Sequence, residues 1–196
     1  MKKKIITSSV LVALILLISC SGGTDFTPKP KGFNHIEIPT PSYSKFTDSA
    51  YPYQFDVSKY AEIYDDTTGI VGDGWKIIDY KALNAQIYVT YEPIKSQKDG
   101  YDLISDSYKI AYKHDVKAYA IERKLIHTTK GYPVVIFELE GEVPSPYQFF
   151  THNIDTTQYF RGAVYFPFAN KNDSLAPVID YLVNDMNHLI ESFEWN

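Results

Sequence analysis

The chain has a single cysteine in 196 residues, Cys20, so no disulfide can form within it and its stability has to come from packing. It also lacks a surplus of positive charge: 19 Lys and Arg stand against 24 Asp and Glu, a net charge of −5. An acidic surface excludes nucleic acid and anionic headgroups as main partners, because both are polyanions. There is no internal repeat, and after residue 18 no apolar run approaches the roughly 20 residues of a membrane-spanning helix. Motifs of chemistry are equally sparse. No Gly-x-Ser-x-Gly surrounds a serine, and the five histidines (His35, His114, His127, His152 and His188) contain no His-x-x-x-His spacing, so neither a hydrolase nucleophile nor a zinc site is signalled.

What the chain does have begins at its start. Lys2, Lys3 and Lys4 precede the apolar run Val10 to Ile18, which leads into Leu17-Ile18-Ser19-Cys20. A basic segment, a short apolar stretch and a small residue before cysteine predict a lipoprotein signal peptide over residues 1–19, with lipidation at Cys20. Cleavage makes Cys20 the amino terminus, its thiol carrying a diacylglycerol and its amine a further acyl chain such as palmitate. Two or three chains anchor durably, since each buried methylene contributes about 0.8 kcal/mol. With lipid on its sulfur, Cys20 is unavailable as a nucleophile. Of the 196 residues, 19 leave with the signal, three of them lysines and none acidic; the remaining 177 carry 16 basic and 24 acidic groups, a charge of −8. That length suits one compact domain.

Residues 20–50 contain Gly22-Gly23, Pro28, Pro30, Gly32, Pro39 and Pro41, a density that disfavours helix and central strand and predicts an extended tether. Phe33, Ile36 and Ile38 are expected to clip it onto the folded body. Residues 51–196 read as a single α+β domain. Period-two alternation predicts strands around Tyr53-Phe55-Val57 and at Ala61–Tyr64, Trp75–Tyr80 and Ala85–Tyr91. A second run follows at Ala120–His127, Pro133–Leu139, Tyr147–Asn153 and Tyr159–Phe166. Turns at Gly131 and Asp155-Thr156-Thr157 make these four an antiparallel meander. Helical spacing of Ile104, Tyr108, Ala111 and Tyr112 predicts a helix over Tyr101–Lys117 capped by Ser96 or Asp99. The stripe Leu175, Val178, Ile179, Leu182, Met186, Leu189, Ile190 and Phe193 predicts a final helix capped by Asp173 or Ser174. The fold class is therefore α+β, a mostly antiparallel sheet with two main helices packed on it. Its element order resembles a PsbP- or Mog1-type sandwich, a likeness of layout that carries no function.

Among isolated groups, His188 and Glu191 lie three apart and read as a solvated helix pair, with metal ligation the sharper alternative. His114-Asp115 reads as a local pair at a helix end. Asp65-Asp66 and Glu138 with Glu140 are the carboxylate pairs an acid–base mechanism would need, the second more simply a wet strand face. Gly72-Asp73-Gly74 and Asp155-Thr156-Thr157 are too short and too weakly acidic for calcium loops and read as turns. Arg161, inside a strand between aromatic residues, reads as a cross-strand ion pair or a receptor for a partner's carboxylate. The chain has 17 tyrosines, 11 phenylalanines and two tryptophans, and around Tyr51, Tyr147 and Tyr159 they are denser than one sheet face can hide. Tyr51, Tyr53, Tyr147, Phe149, Tyr159 and Arg161 are accordingly the candidate partner-binding residues, core packing being the equally open alternative. No cofactor is indicated.

Several segments in order resemble the gliding-motility lipoprotein family GldD of the Bacteroidetes. They are Pro28-Lys29-Pro30-Lys31-Gly32, Tyr51-Pro52-Tyr53 with Phe55, Ala111-Tyr112-Lys113-His114, Gln148-Phe149-Phe150, Phe160-Arg161-Gly162 with Tyr165-Phe166, Asp173-Ser174-Leu175-Ala176-Pro177-Val178, and Leu189-Ile190-Glu191-Ser192-Phe193-Glu194-Trp195. The resemblance implies an outer-membrane lipoprotein facing the periplasm. It implies a non-catalytic role supporting the gliding machinery and the type IX protein secretion system, beside other gliding lipoproteins, GldJ in particular. The rival class is a periplasmic envelope enzyme or a glycan- or small-ligand-binding lipoprotein. A cleft joining His114 or Arg161 to paired carboxylates would mark the rival, and a flat aromatic patch would mark docking.

Overall fold

In the computed structural model the chain divides into two units, Met1–Phe33 and Asn34–Asn196. The structure describes residues 36–67, 74–167 and 172–196, all in the second unit. The signal sequence, Cys20, Phe33, His35, Gly72 and Asp73 lie outside the described residues.

The described elements in chain order are β1 (Tyr43–Thr47), β2 (Tyr53–Ser58), β3 (Glu62–Asp65), β4 (Trp75–Tyr80), a 3-10 turn (Lys81–Leu83), β5 (Ala85–Pro93), α1 (Gln97–Tyr112), β6 (Ala118–His127), β7 (Pro133–Gly141), β8 (Tyr147–His152), β9 (Gln158–Tyr165), α2 (Asn172–Ser192) and β10 (Glu194–Trp195). Seven strands form one antiparallel sheet in the order β3-β4-β5-β9-β8-β7-β6, and β1-β2-β10 form a second, three-stranded one. The fold is α+β, as the alternation of patterns predicts, and β6 to β9 are the predicted meander.

Local chemistry explains the joints. Ser96 caps α1, its hydroxyl accepting from the Asp99 amide at 3.2 Å, and Asp99 sits in the first turn, where its charge complements the helix dipole. Between β8 and β9, Thr156 adopts φ 52° while the Asn153 side-chain oxygen accepts from the Thr157 and Gln158 amides at 2.8 and 3.0 Å. Gly162 is required by a close approach: a Cβ there would lie 2.4 Å from Cε1 of Phe149 on the neighbouring strand.

Both faces of the large sheet carry a core. On one, Ile78, Ile87, Val89, Ile136, Phe149, Phe160 and Val164 meet Val178, Leu182, Met186, Leu189 and Ile190 of α2 together with Tyr53 and Phe55 of β2. On the other, Ala111 and half-buried Leu103, Ile104 and Tyr108 of α1 pack on Phe137, Leu139, Phe150 and Tyr159.

Three local readings differ from the structure. The first helix spans Gln97–Tyr112 rather than Tyr101–Lys117. Gly100, a poor helix former, obscures its first turn, but a side chain there would press on Ile94 at 3.3 Å, so packing overrides propensity. Its end comes early because the backbone tightens through His114 N–H to Ala111 O and Asp115 N–H to Tyr112 O and reverses into β6. β1 falls inside the stretch 20–50 read as a tether, pairing Phe46 opposite Phe55, and β10 is a two-residue strand pairing with β2. Both are edge strands, and Pro39 and Pro41 just before β1 do no harm at an edge. α2 begins at Asn172, so Asp173 and Ser174 fall within its first turn, and their side chains lie outside the described ones.

Candidate functional site

The six residues read as a docking surface divide sharply. Tyr53, Tyr147, Phe149 and Tyr159 are core residues, between 0 and 2% exposed, which corrects their assignment to a partner-binding face. Tyr147 donates to Asn187 Oδ1 at 2.6 Å, and the Tyr159 and Ser107 hydroxyls bond each other beneath α1. The ring density misleads because the sheet is covered on both faces. Alternate residues of β8 and β9 enter different cores, Phe149 and Phe160 toward α2, Phe150 and Tyr159 toward α1. Tyr51 is half-buried, stacked on Tyr53 at 5.8 Å and beneath the Lys76 ammonium at 5.0 Å. That lysine is itself buried between Asp48 (2.8 Å) and Asp65 (2.6 Å), so Asp65 serves an ion pair.

Arg161 is the exception. It lies on the α1 face of β9, opposite Phe150 of β8 and Thr90 of β5, and is half-buried. Its Nη2 donates to Gln148 Oε1 at 2.7 Å, a cross-strand hydrogen bond to a neutral amide in place of the expected ion pair. Among the described residues no carboxylate lies within ion-pair distance of it. Burial pulls the Arg161 pKa down, and burial, with the same guanidinium added, holds half-buried His114 below the usual imidazole range. Tyr159, on the same face of β9, is pushed up to about 12 by burial. Gln148 is 2% exposed, and its Nε2 has no hydrogen-bond partner.

Beyond Arg161 the same face runs across β5, β4 and β3, where strand register lines up Tyr165, Gln86, Tyr88, Trp75, Asp79 and Tyr64. Tyr88 donates to Gln86 Oε1 at 2.9 Å and meets Tyr165 edge-on at 5.8 Å; Tyr64 reaches Asp79 Oδ2 at 3.4 Å. Trp75 Nε1 donates to Glu92 Oε1 at 3.4 Å.

Most of the other isolated groups find structural partners. His188 stacks on Tyr43 at 3.7 Å and lies 3.2 Å from Asp56. Glu138 is bridged by Lys124 at 2.8 Å, and Glu140 is exposed. His152 contacts the Asn153 carbonyl at 2.8 Å. His114 and Arg161 come together, but no paired carboxylate joins them among the described residues. Nor do three His, Cys, Asp or Glu side chains there group as a metal site, and no described helix is long and apolar enough to cross a membrane.

Sequence reading missed one surface. From the end of α1 along edge strand β6, Tyr112, Val116, Tyr119, Leu125 and Ile126 are all exposed, Val116 and Tyr119 by 89 and 75%. The clue was the apolar density of 116–126, which looks like core until the strand proves to lie at the sheet's edge.

Fold and site together define a two-sheet α+β domain with an exposed apolar edge and, on its α1 face, a partly buried arginine with no carboxylate partner among the described residues. The chain belongs to the gliding motility lipoprotein GldD family, whose model matches residues 23–195. It is thus a lipid-anchored protein of the cell envelope with a part in gliding motility. No curated protein matches it. Among solved structures, it is similar to cyanobacterial PsbP (CyanoP) from Synechocystis, with 12% identity over 81% of this chain and 95% of that one and a TM-score of 0.44. It is also similar to the Saccharomyces cerevisiae Ran-binding protein Mog1p, with 8% identity over 80% of this chain and 96% of that one and a TM-score of 0.47.

Proposed function

We propose that this protein is a non-enzymatic outer-membrane lipoprotein, facing the periplasm, that supports the gliding machinery and the type IX secretion system by docking other lipoproteins of that apparatus, GldJ first among them. The observation that carries the docking role is the exposed apolar surface made by Tyr112 and Val116 at and after the end of α1 and by Tyr119, Leu125 and Ile126 on edge strand β6. Such an edge offers unpaired backbone groups together with apolar side chains, the combination a protein partner covers. The Cys20 lipid holds the domain beside membrane-bound partners and raises its effective concentration toward them without any new contact. The acidic balance of the mature chain, 16 basic against 24 acidic groups, leaves nucleic acid out of this role.

Deletion of the gene, with wild-type and Cys20→Ala copies supplied back, tests the reading. Type IX cargo is expected to stay in the cell on deletion and to reach the medium again only with the lipidated copy. Unchanged export on deletion would turn attention to the rival reading of an envelope enzyme or ligand-binding lipoprotein.

A further inference from the structure

We propose that Arg161 and Gln148 form a receptor for a single carboxylate group, seated on the α1 face of the large sheet where α1 gives way to strands β5 to β3, which no described helix covers on this face.

A partly buried guanidinium without an acid is costly, because desolvation is offset only when a counter-charge or several acceptors take its five donors. Arg161 has one acceptor, Gln148 Oε1 at 2.7 Å, and no carboxylate or aromatic face supplies the rest among the described residues. The other end of the same amide, Gln148 Nε2, is a buried donor with no partner. Two neighbouring groups are thus short of acceptors only. An acceptor-only ligand with two oxygens supplies both, one oxygen on the guanidinium fork and one shared toward Gln148 Nε2. Around them Phe150, Tyr159 and Ala163 form a buried floor with Thr90 opposite on β5. Arg161 itself keeps partial exposure, so the group can be reached.

Charge selects a carboxylate over a phosphate dianion. The site holds one permanent positive charge, burial and that same charge disfavour a second on His114, and the mature chain as a whole is acidic, 16 basic against 24 acidic groups. One negative charge is neutralised; a second would be buried in excess.

The chain contains two arginines, Arg161 and Arg123, the latter lying 5.9 Å over the Tyr108 ring. Mature lipidated protein labelled with 15N-arginine therefore shows two Nε–Hε signals, one of them an internal control. Titrated with sodium acetate against chloride at constant ionic strength, the Arg161 signal is expected to shift saturably, with a midpoint of roughly 1–10 mM for so small a ligand, while Arg123 stays in place. A capped peptide containing Asp, compared with its Asn counterpart, separates a carboxylate carried on a chain from a free acid. If the Asp peptide saturates the signal at concentrations at least tenfold below acetate, the natural ligand is peptide-borne; if it is no better, a small acid is the ligand. Arg161→Lys keeps the charge but loses the fork, and is expected to weaken acetate binding tenfold or more. Gln148→Glu builds the missing carboxylate into the protein, and is expected to raise the melting temperature and abolish the acetate response. Failure of the Arg161 signal to move with acetate, or a Gln148→Glu variant that still responds as wild type does, would overturn the proposal.

Discussion

Tyr43, in the first described strand, donates its phenol to Asp185 Oδ1 in the last helix at 2.7 Å, across 142 residues of chain. Tyr80 donates to the other oxygen, Asp185 Oδ2, at 2.8 Å. One carboxylate thus fastens the small sheet, the large sheet and α2 together, in a place where Asp185 is only 4% exposed.

Tyr43→Phe removes one of these bonds and leaves the ring stacked on His188. The expected loss is about 0.5–1.5 kcal/mol in urea denaturation with the slope unchanged. Hydrogen exchange should quicken in β1 before the rest of the fold, because an edge strand opens locally once its tie is cut.

Asp185 also sets a pH dependence. Burial raises its pKa above the ordinary carboxylate range, a push only partly offset by the hydrogen bonds from Tyr43, Tyr80 and Ser58 and by His188. The folded protein therefore holds this proton more tightly than the unfolded chain. The stabilisation is complete below the unfolded carboxyl pKa and declines as pH rises through the folded one. In denaturation series from pH 3.5 to 7, the stability of Asp185→Asn relative to wild type should improve with rising pH. Parallel curves would contradict the assignment.

Two glycines contrast close approach with backbone conformation. Gly162→Ala pushes a methyl into the Phe149 ring and should cost about 1–3 kcal/mol as overpacking in a dense core. Gly131→Ala meets nothing within 4 Å but sits at φ +84°, so its cost should be about 1 kcal/mol, from the left-handed backbone alone. Midpoints measured side by side distinguish the two causes, since only the Gly162 variant should also perturb the aromatic near-ultraviolet circular dichroism.

Tyr119→Glu and Leu125→Glu place charge on the exposed edge without touching a core. Stability should change by less than about 0.5 kcal/mol. If β6 docks a partner, both variants should fail to restore cargo export to a deletion strain although they fold and reach the membrane. Full export with both charges in place would remove β6 from the docking surface.

Much of the architecture was legible because it is written in local periods. The alternation Ala85, Ile87, Val89 marks β5, and the stripe from Leu175 to Phe193 marks α2, since a sheet face and a helix stripe must be apolar wherever they are covered. β1 and β10 were illegible because edge strands of five and two residues draw their order from β2, leaving little pattern of their own. The site residues fared worse. Tyr53, Tyr147, Phe149 and Tyr159 look like interface residues in a list of rings, and become core only when two helices and a second sheet cover both faces of the large one.

The sequence by itself determined the elements, the α+β class, the candidate lipidation at Cys20 and the family, all of which rest on neighbours along the chain or on motifs in order. Tertiary structure alone decided what each polar group meets. It set Arg161 beside the amide of Gln148 instead of an acid, brought Tyr43 to Asp185, and left Val116, Tyr119, Leu125 and Ile126 exposed instead of in a core. The reason is physical: periodicity says which side chains share a face, but the strand order of the sheet decides what, if anything, comes to lie against that face.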